Sequence, residues 1–476
     1  MFKLIDRLKI IYIFTGIVVL TSFLYFFEGS SSKQVVIYFE SVGFNPKILH
    51  IKKGDLVIFK TKLEKDFWPA SDLHPTHKIY PEFDPQKPVK PEESWGFRFE
   101  KEGAWEYHNH LDSEYKGTIV VGDKDKITID CNLESMQQKC WQIEIENKMK
   151  SDGVEAALEL VVNKYGKDPQ FASDCHGFAH VLGDMAYDKY KSGDNFALTF
   201  EDASICGYGF YHGFMEKALQ SGGNLNEINN FCQKVGKTSP LSVSKACYHG
   251  MGHGTVKFFS DRHPEGFKDN ANTLTEGGLD LCHKVTADYG DTYDQCANGV
   301  FMEISNEMVS HENNLSINSS FPFNLCEIQK NNDKRNCYGQ MYGVIYNVTH
   351  SLEKGIALIG KIPEDDYAQE AMADYAGMAA TRGDHYGDIQ ACRGAQKRLR
   401  SFCFKGLALD MVFRGTVGGG YKSALQFCLL PLLFSTEQKL CVNDVLGYSA
   451  VSQSPENHKL ACDLVKEADL KANCRQ

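Results

Sequence analysis

The chain has 476 residues, a net charge of −11, 42% hydrophobic residues and 16 cysteines. Its length calls for several domains with cores of their own, and its apolar fraction excludes a largely disordered chain. The acidic balance excludes a general nucleic-acid binder, which needs a basic face to displace counterions, and so many cysteines point to an oxidising compartment or to metal clusters.

In chain order, the first element is hydrophobic. Residues 10–27 carry no charge, follow Lys3, Arg7 and Lys9, and precede Glu28. As a helix this stretch spans about 27 Å, roughly a bilayer's hydrocarbon core. The flanking charges predict a single-pass anchor in the cell membrane within residues 1–32, N-terminus inside, with the remaining chain extracytoplasmic. A cleaved signal peptide is the rival reading. It is disfavoured because no small-x-small site precedes Gly29.

Residues 33–123 read as a small β-domain. Gln34–Glu40 alternates weakly, Ile48–Ile51 leads into the turn Lys52-Lys53-Gly54-Asp55, and Leu56–Thr61 is apolar and β-branched. Trp95–Phe99 alternates and Gly117–Val121 closes the run. Short strands separated by Gly and Pro predict a sandwich.

The two ends of this segment resemble the cupredoxins. FNPKILHIKKGDLVIFK is similar to the opening of that family and FRFEKEGAWEYHNHLDSEYKGTIVV to its closing, ligand-bearing hairpin. The resemblance implies a two-sheet Greek-key sandwich and, in the family, one copper ion for electron transfer. The family's closing ligand positions fall here on Asn109, Asp112 and Tyr115, and its upstream histidine falls near Trp68. The thiolate that blue copper needs is therefore missing. Four histidines nevertheless gather where the site should be: His74 and His77 in SDLHPTH, and His108 and His110 in YHNH. Imidazole suits copper(II) and zinc, so copper, with zinc as the alternative, is the expected cofactor. Strict alternation would put His108 and His110 on one face of a strand, opposite Asn109.

All 16 cysteines lie within residues 124–476, with no CxxC among them, which disfavours zinc ribbons, iron–sulfur clusters and thioredoxin chemistry. They fall into pairs 9 to 15 residues apart: Cys131/Cys140, Cys232/Cys247, Cys282/Cys296, Cys326/Cys337, Cys392/Cys403, Cys428/Cys441 and Cys462/Cys474. Cys175 and Cys206, 31 apart, form the remaining pair. The second cysteine is often followed by Cys-x-x-Gly and an apolar helical pattern, as in CYHGMGHGTVKF, CANGVFMEISNEM and CFKGLALDMVF. Disulfides closing inter-helix loops, recurring mostly every 33 to 49 residues, predict an all-α, solenoid-like repeat of helical hairpins. An internal repeat aligns 172–190 with 372–390, matching Gly177 to Gly377 and His180 to Ala380.

A second histidine set lies in the first copy. His180, His212 and His253 each stand three residues after a glycine (Gly177, Gly209 and Gly250), so they are expected to line one groove, with Glu216 close by. His176 and His249 flank them, and Asp184 and Glu303 align nearby. Walker A, GxGxxG, GxSxG and HExxH motifs are absent.

The leading expectation is a membrane-anchored, extracytoplasmic protein with a copper-binding cupredoxin-like domain, whose helical repeat binds a partner or ligand. An enzyme with a histidine-lined, metal-dependent groove in the helical domain is the alternative. A metal-free cell-surface interaction protein is the third.

Overall fold

The computed structural model describes residues 33–40, 43–72, 76–122, 137–194, 196, 206–238, 241–263, 270–286, 290–310, 315–318, 321–380, 385–414, 420–452, 455–466 and 474. The anchor expected over residues 10–27 lies outside them. Among the described residues no helix is long and apolar enough to cross a membrane. The chain divides into two units: residues 1–71, 82–85 and 89–129 form one, and residues 72–81, 86–88 and 130–476 form the other.

The first unit is a β-sandwich. One sheet has the order β2 (Gly43–Asn45), β1 (Gln34–Glu40), β4 (Leu56–Thr61), β6 (Trp95–Arg98); the other is β3 (Ile48–Ile51), β8 (Asp112–Val121), β7 (Gly103–Asn109), β5 (Pro69–Ser71). β1 pairs with β4 and β3 with β8 in parallel, while the other neighbours are antiparallel. Alternation puts Ile37 and Phe39 of β1, Val57 and Phe59 of β4, and Trp105 and Tyr107 of β7 into one core. The turn before β4 needs Gly54 at φ +89°. The Asp55 carboxylate closes it by accepting the backbone N–H groups of Lys33 and Lys52 at 2.7 and 2.9 Å. The closing strand is longer than expected, because β8 begins at Asp112 directly after a two-residue reversal.

The second unit is helical. It begins with α1 (Gln137–Asp152), α2 (Val154–Lys167), α3 (Pro169–Lys191) and α4 (Gly209–Gln220). Next come α5 (Leu225–Thr238), α6 (Leu241–Arg262), α7 (Ala271–Thr286) and α8 (Asp291–Ser310). The remainder are α9 (Asn324–Glu327), α10 (Asn331–Gln340), α11 (Tyr342–Thr349), α12 (Leu352–Ile359), α13 (Asp365–Ala379), α14 (His385–Gly394), α15 (Arg400–Arg414), α16 (Gly420–Cys428), α17 (Ser435–Ser452) and α18 (Pro455–Leu464). α3, α4, α6, α8, α10, α13, α15 and α17 pack successively, each on the next.

Seven disulfides among the described residues tie this unit together: Cys175–Cys206, Cys232–Cys247, Cys282–Cys296, Cys326–Cys337, Cys392–Cys403, Cys428–Cys441 and Cys462–Cys474. Cys140 is also disulfide-bonded, and its expected partner Cys131 lies outside the described residues. Most bridges join the last turns of one helix to the first turns of the next, as Cys282–Cys296 joins α7 to α8.

The glycine three residues after the second cysteine has a packing reason. A Cβ on Gly209 would lie 2.5 Å from the His176 carbonyl oxygen, and one on Gly250 would lie 2.6 Å from that of Tyr211. On Gly299 the distance to the His249 oxygen would be 2.0 Å, and on Gly406 to that of Ala373 it would be 2.1 Å. Each of these helices therefore lays bare backbone on its predecessor. The contact recurs at Gly299 and Gly406, where Met302 and Leu409 rather than a histidine stand three residues on, so the glycines serve packing throughout. The histidines are a separate feature of the first half.

Candidate metal centre

α3 starts at Asp168, whose carboxylate accepts the N–H groups of Gln170 and Phe171 while Pro169 fills the first helical position. From there His176 and His180 fall four residues apart on one face. The same spacing recurs along the row: His212 and Glu216 on α4, His249, His253 and Lys257 on α6, and Glu303 and Glu307 on α8. Residues at i and i+4 point the same way from a helix. Glycine contacts between α3 and α4, α4 and α6, and α6 and α8 bring these pairs within reach of one another.

Ahead of α4, Cys206, Gly207 and Tyr208 all take left-handed backbone, with φ of 58°, 61° and 62°. Two of the three carry side chains, an arrangement that surrounding structure must hold in place. The Cys175–Cys206 bridge does so from α3, and the His176 Nδ1–H donates to the Cys206 carbonyl at 2.9 Å.

One ligand atom from each of His212, His249 and His253 lies within 4.8 Å of the other two, and Glu216, His253 and Glu303 form a second such group. The His253 and His249 Nε2 atoms are 3.2 Å apart, and the His212 and His253 ring centres are 4.5 Å apart. His253 Nδ1 meets Glu303 Oε2 at 2.8 Å, and Lys257 Nζ lies 2.9 Å from Glu303 Oε1 and 3.4 Å from Glu307 Oε1. His180 Nε2 pairs with Glu216 Oε2 at 3.3 Å. His180, His212 and His253 are each no more than 5% exposed.

Burial dominates the electrostatics. It drives the His176 imidazole down to about 4, helped by His180, and the His249 imidazole down to about 3, helped by His253. His212 is pushed well below the ordinary histidine value by burial and its neighbouring imidazoles. These three rings are neutral at pH 7, the form that ligates a metal. For His180, burial pushes down, but Glu216, Asp184 and Glu303 together outweigh it and raise the value.

The expected trio of His180, His212 and His253 is thus only partly assembled. His212 and His253 meet, but the third member is His249, one turn before His253, while His180 is paired with Glu216. The glycine alignment matched helices by sequence, whereas neighbouring helices cross with an axial offset that brings a residue one turn away level with the group. The four-residue spacing of His249 and His253 carried the missed signal. In the second copy Ala380, the counterpart of His180, ends α13.

In the β-domain, His74 lies outside the described residues. His77 is buried, with φ +52°, in the segment 72–81 that groups with the helical unit. His108 is buried in β7 with its ring centre 6.2 Å from that of His110. A register shift between His108 and Asn109 breaks strict alternation, and His110 lies in the turn after the strand, its ring tilted against Trp68 with centres 4.5 Å apart. Asn109, at the thiolate position of the cupredoxin pattern, is buried and accepts the Trp68 backbone N–H at 2.7 Å. Tyr115, at the pattern's methionine position, packs edge-on against Phe39. Core hydrogen bonding and aromatic packing occupy positions that hold copper in that pattern.

No protein-family model and no curated protein matches the chain. Among solved structures, an oxidised amicyanin mutant matches at 18% identity, covering 19% of this chain and 82% of its own, with a TM-score of 0.16. The reduced Cu(I) form at pH 4 of another amicyanin mutant matches at 19% identity, covering 19% and 85%, with a TM-score of 0.17.

Proposed function

We propose that this is an extracytoplasmic metal-binding protein whose helical domain holds one transition-metal ion, zinc or copper, on His212, His249 and His253. The observation that carries the reading is the buried His212 Nε2, which has no hydrogen-bond partner among the described residues, beside two imidazole nitrogens 3.2 Å apart. An orphaned buried polar atom is costly, and an ion offsets that cost. Tetrahedral bonds of about 2.0–2.1 Å set ligand nitrogens about 3.3 Å apart, close to the spacing of His249 and His253. Three protein ligands leave a fourth position for water or a substrate, as in catalytic rather than structural zinc sites. The enzyme alternative is therefore located at this centre.

A second reading places copper in the β-domain on His74, His77, His108 and His110. It is favoured by the neighbouring imidazoles of His108 and His110, and without a thiolate it excludes blue copper. Membrane anchoring through residues 10–27 and partner binding on the repeat remain parts of this proposal.

Elemental analysis of the full chain separates the sites. About one zinc or copper per chain is expected. It is lost in His249→Ala/His253→Ala and retained in His108→Ala/His110→Ala if the helical centre holds it. The reverse pattern moves the metal to the β-domain, and no stoichiometric metal in the wild type rejects both readings.

A further inference from the structure

We infer that Glu303 is a positioning residue of this centre: it holds the His253 proton on Nδ1 so that Nε2 faces the ion, and it is not itself a ligand. The inference rests on the metal reading above. An ionised carboxylate only accepts, so at 2.8 Å from Glu303 Oε2 the His253 Nδ1 must donate. A metal-ligating imidazole is neutral, and with the proton on Nδ1 its lone pair is on Nε2, the atom that faces His249. Carboxylates that hold a ligating histidine in this way fix its tautomer and orientation and raise its basicity.

Lys257 decides between orienting carboxylate and ligand. Its ammonium sits 2.9 Å from the other oxygen of Glu303 and 3.4 Å from Glu307, so it already supplies a cation to these carboxylates. In the group formed by Glu216, His253 and Glu303, both carboxylates already have partners: Lys257 and His253 on Glu303, and His180 on Glu216. A single ion on imidazoles is the arrangement that leaves every one of these contacts in place. The backbone supports it: Gly299 of α8 rests on the His249 carbonyl, and Gly252 of α6 on that of Cys296. This close approach keeps the Glu303 carboxylate level with His253.

The test uses the full chain with cobalt(II) and zinc(II) as probes. One ion per chain is expected. Glu303→Gln, which still accepts a hydrogen bond, should keep the cobalt visible spectrum and lose about tenfold in affinity, while Glu303→Leu should lose on the order of 10- to 100-fold. Nitrogen NMR of the zinc-loaded wild type, selectively labelled at histidine, should show His253 protonated on Nδ1 and metal-bound through Nε2. This readout does not depend on any variant folding. Two ions per chain in a His108→Ala/His110→Ala background, a changed cobalt spectrum in Glu303→Gln, or His253 bound through Nδ1 overturns the inference. So does unchanged affinity in a folded Glu303→Leu. All of these outcomes leave the metal reading standing, whereas a wild type that takes up neither metal overturns both.

Discussion

Replacing Gly213 with alanine tests whether backbone contact between helices sets the geometry of the centre. A Cβ on Gly213 would lie 1.9 Å from the carbonyl oxygen of His180, 2.8 Å from its carbonyl carbon and 3.0 Å from its Nδ1. The nearest atom is backbone and cannot rotate aside, so α3 and α4 must separate by about 1 Å or more to restore van der Waals contact. Overpacking of this kind costs about 1–3 kcal/mol, and the better helix propensity of alanine returns up to about 1 kcal/mol. A net loss of about 1–2 kcal/mol is expected in denaturant unfolding of the metal-free protein. Metal affinity should fall further, by at least about tenfold, because ligand distances tolerate only about 0.2 Å and His212 lies one residue from the clash. Gly166, where a Cβ meets nothing within 4 Å, is the control: Gly166→Ala should gain about 0.5–1 kcal/mol with unchanged affinity. The reasoning fails if Gly213→Ala unfolds no earlier than wild type and binds metal equally well.

Two further outcomes follow from the helical unit. Asp374 is driven up to about 8 by burial, with Glu370 adding to the rise and Lys405 opposing it. The folded chain therefore keeps a proton that the unfolded chain loses above about pH 4, and stability attributable to this group falls as pH rises from about 4 to about 8. Asp374→Asn should stabilise the protein by a few kcal/mol at pH 8 and by almost nothing near pH 4, at about 1.36 kcal/mol per unit. Urea unfolding at the two pH values checks this, and an equal effect at both would refute it. Removing the bridge across 15 residues with Cys232→Ala/Cys247→Ala should cost about 3 kcal/mol. Equilibrium unfolding of folded variant and wild type measures that loss.

The amino-acid sequence by itself determined whatever depends on near neighbours. Weak alternation marked β1, a β-branched apolar run marked β4, and Lys52-Lys53-Gly54-Asp55 marked the turn between β3 and β4. Cysteines 11 to 15 residues apart meet because a short loop between two helices leaves few other arrangements. Cys-x-x-Gly marked where one helix backbone touches the next, since only glycine tolerates a carbonyl at that distance. Histidine content marked the region of the centre but not its membership. His253 and Glu303 are 50 residues apart, and which side chains share a depth is set by the axial offset and rotation of packed helices. That offset put His212 beside His249 and His253, left His180 with Glu216, and brought Lys257 onto Glu303. In the β-domain, a register shift at His108 and the hydrogen bond from Trp68 to Asn109 likewise decided what the closing hairpin presents. Those are properties of packed surfaces, where a shift of one helical turn or one strand residue exchanges one neighbour for another.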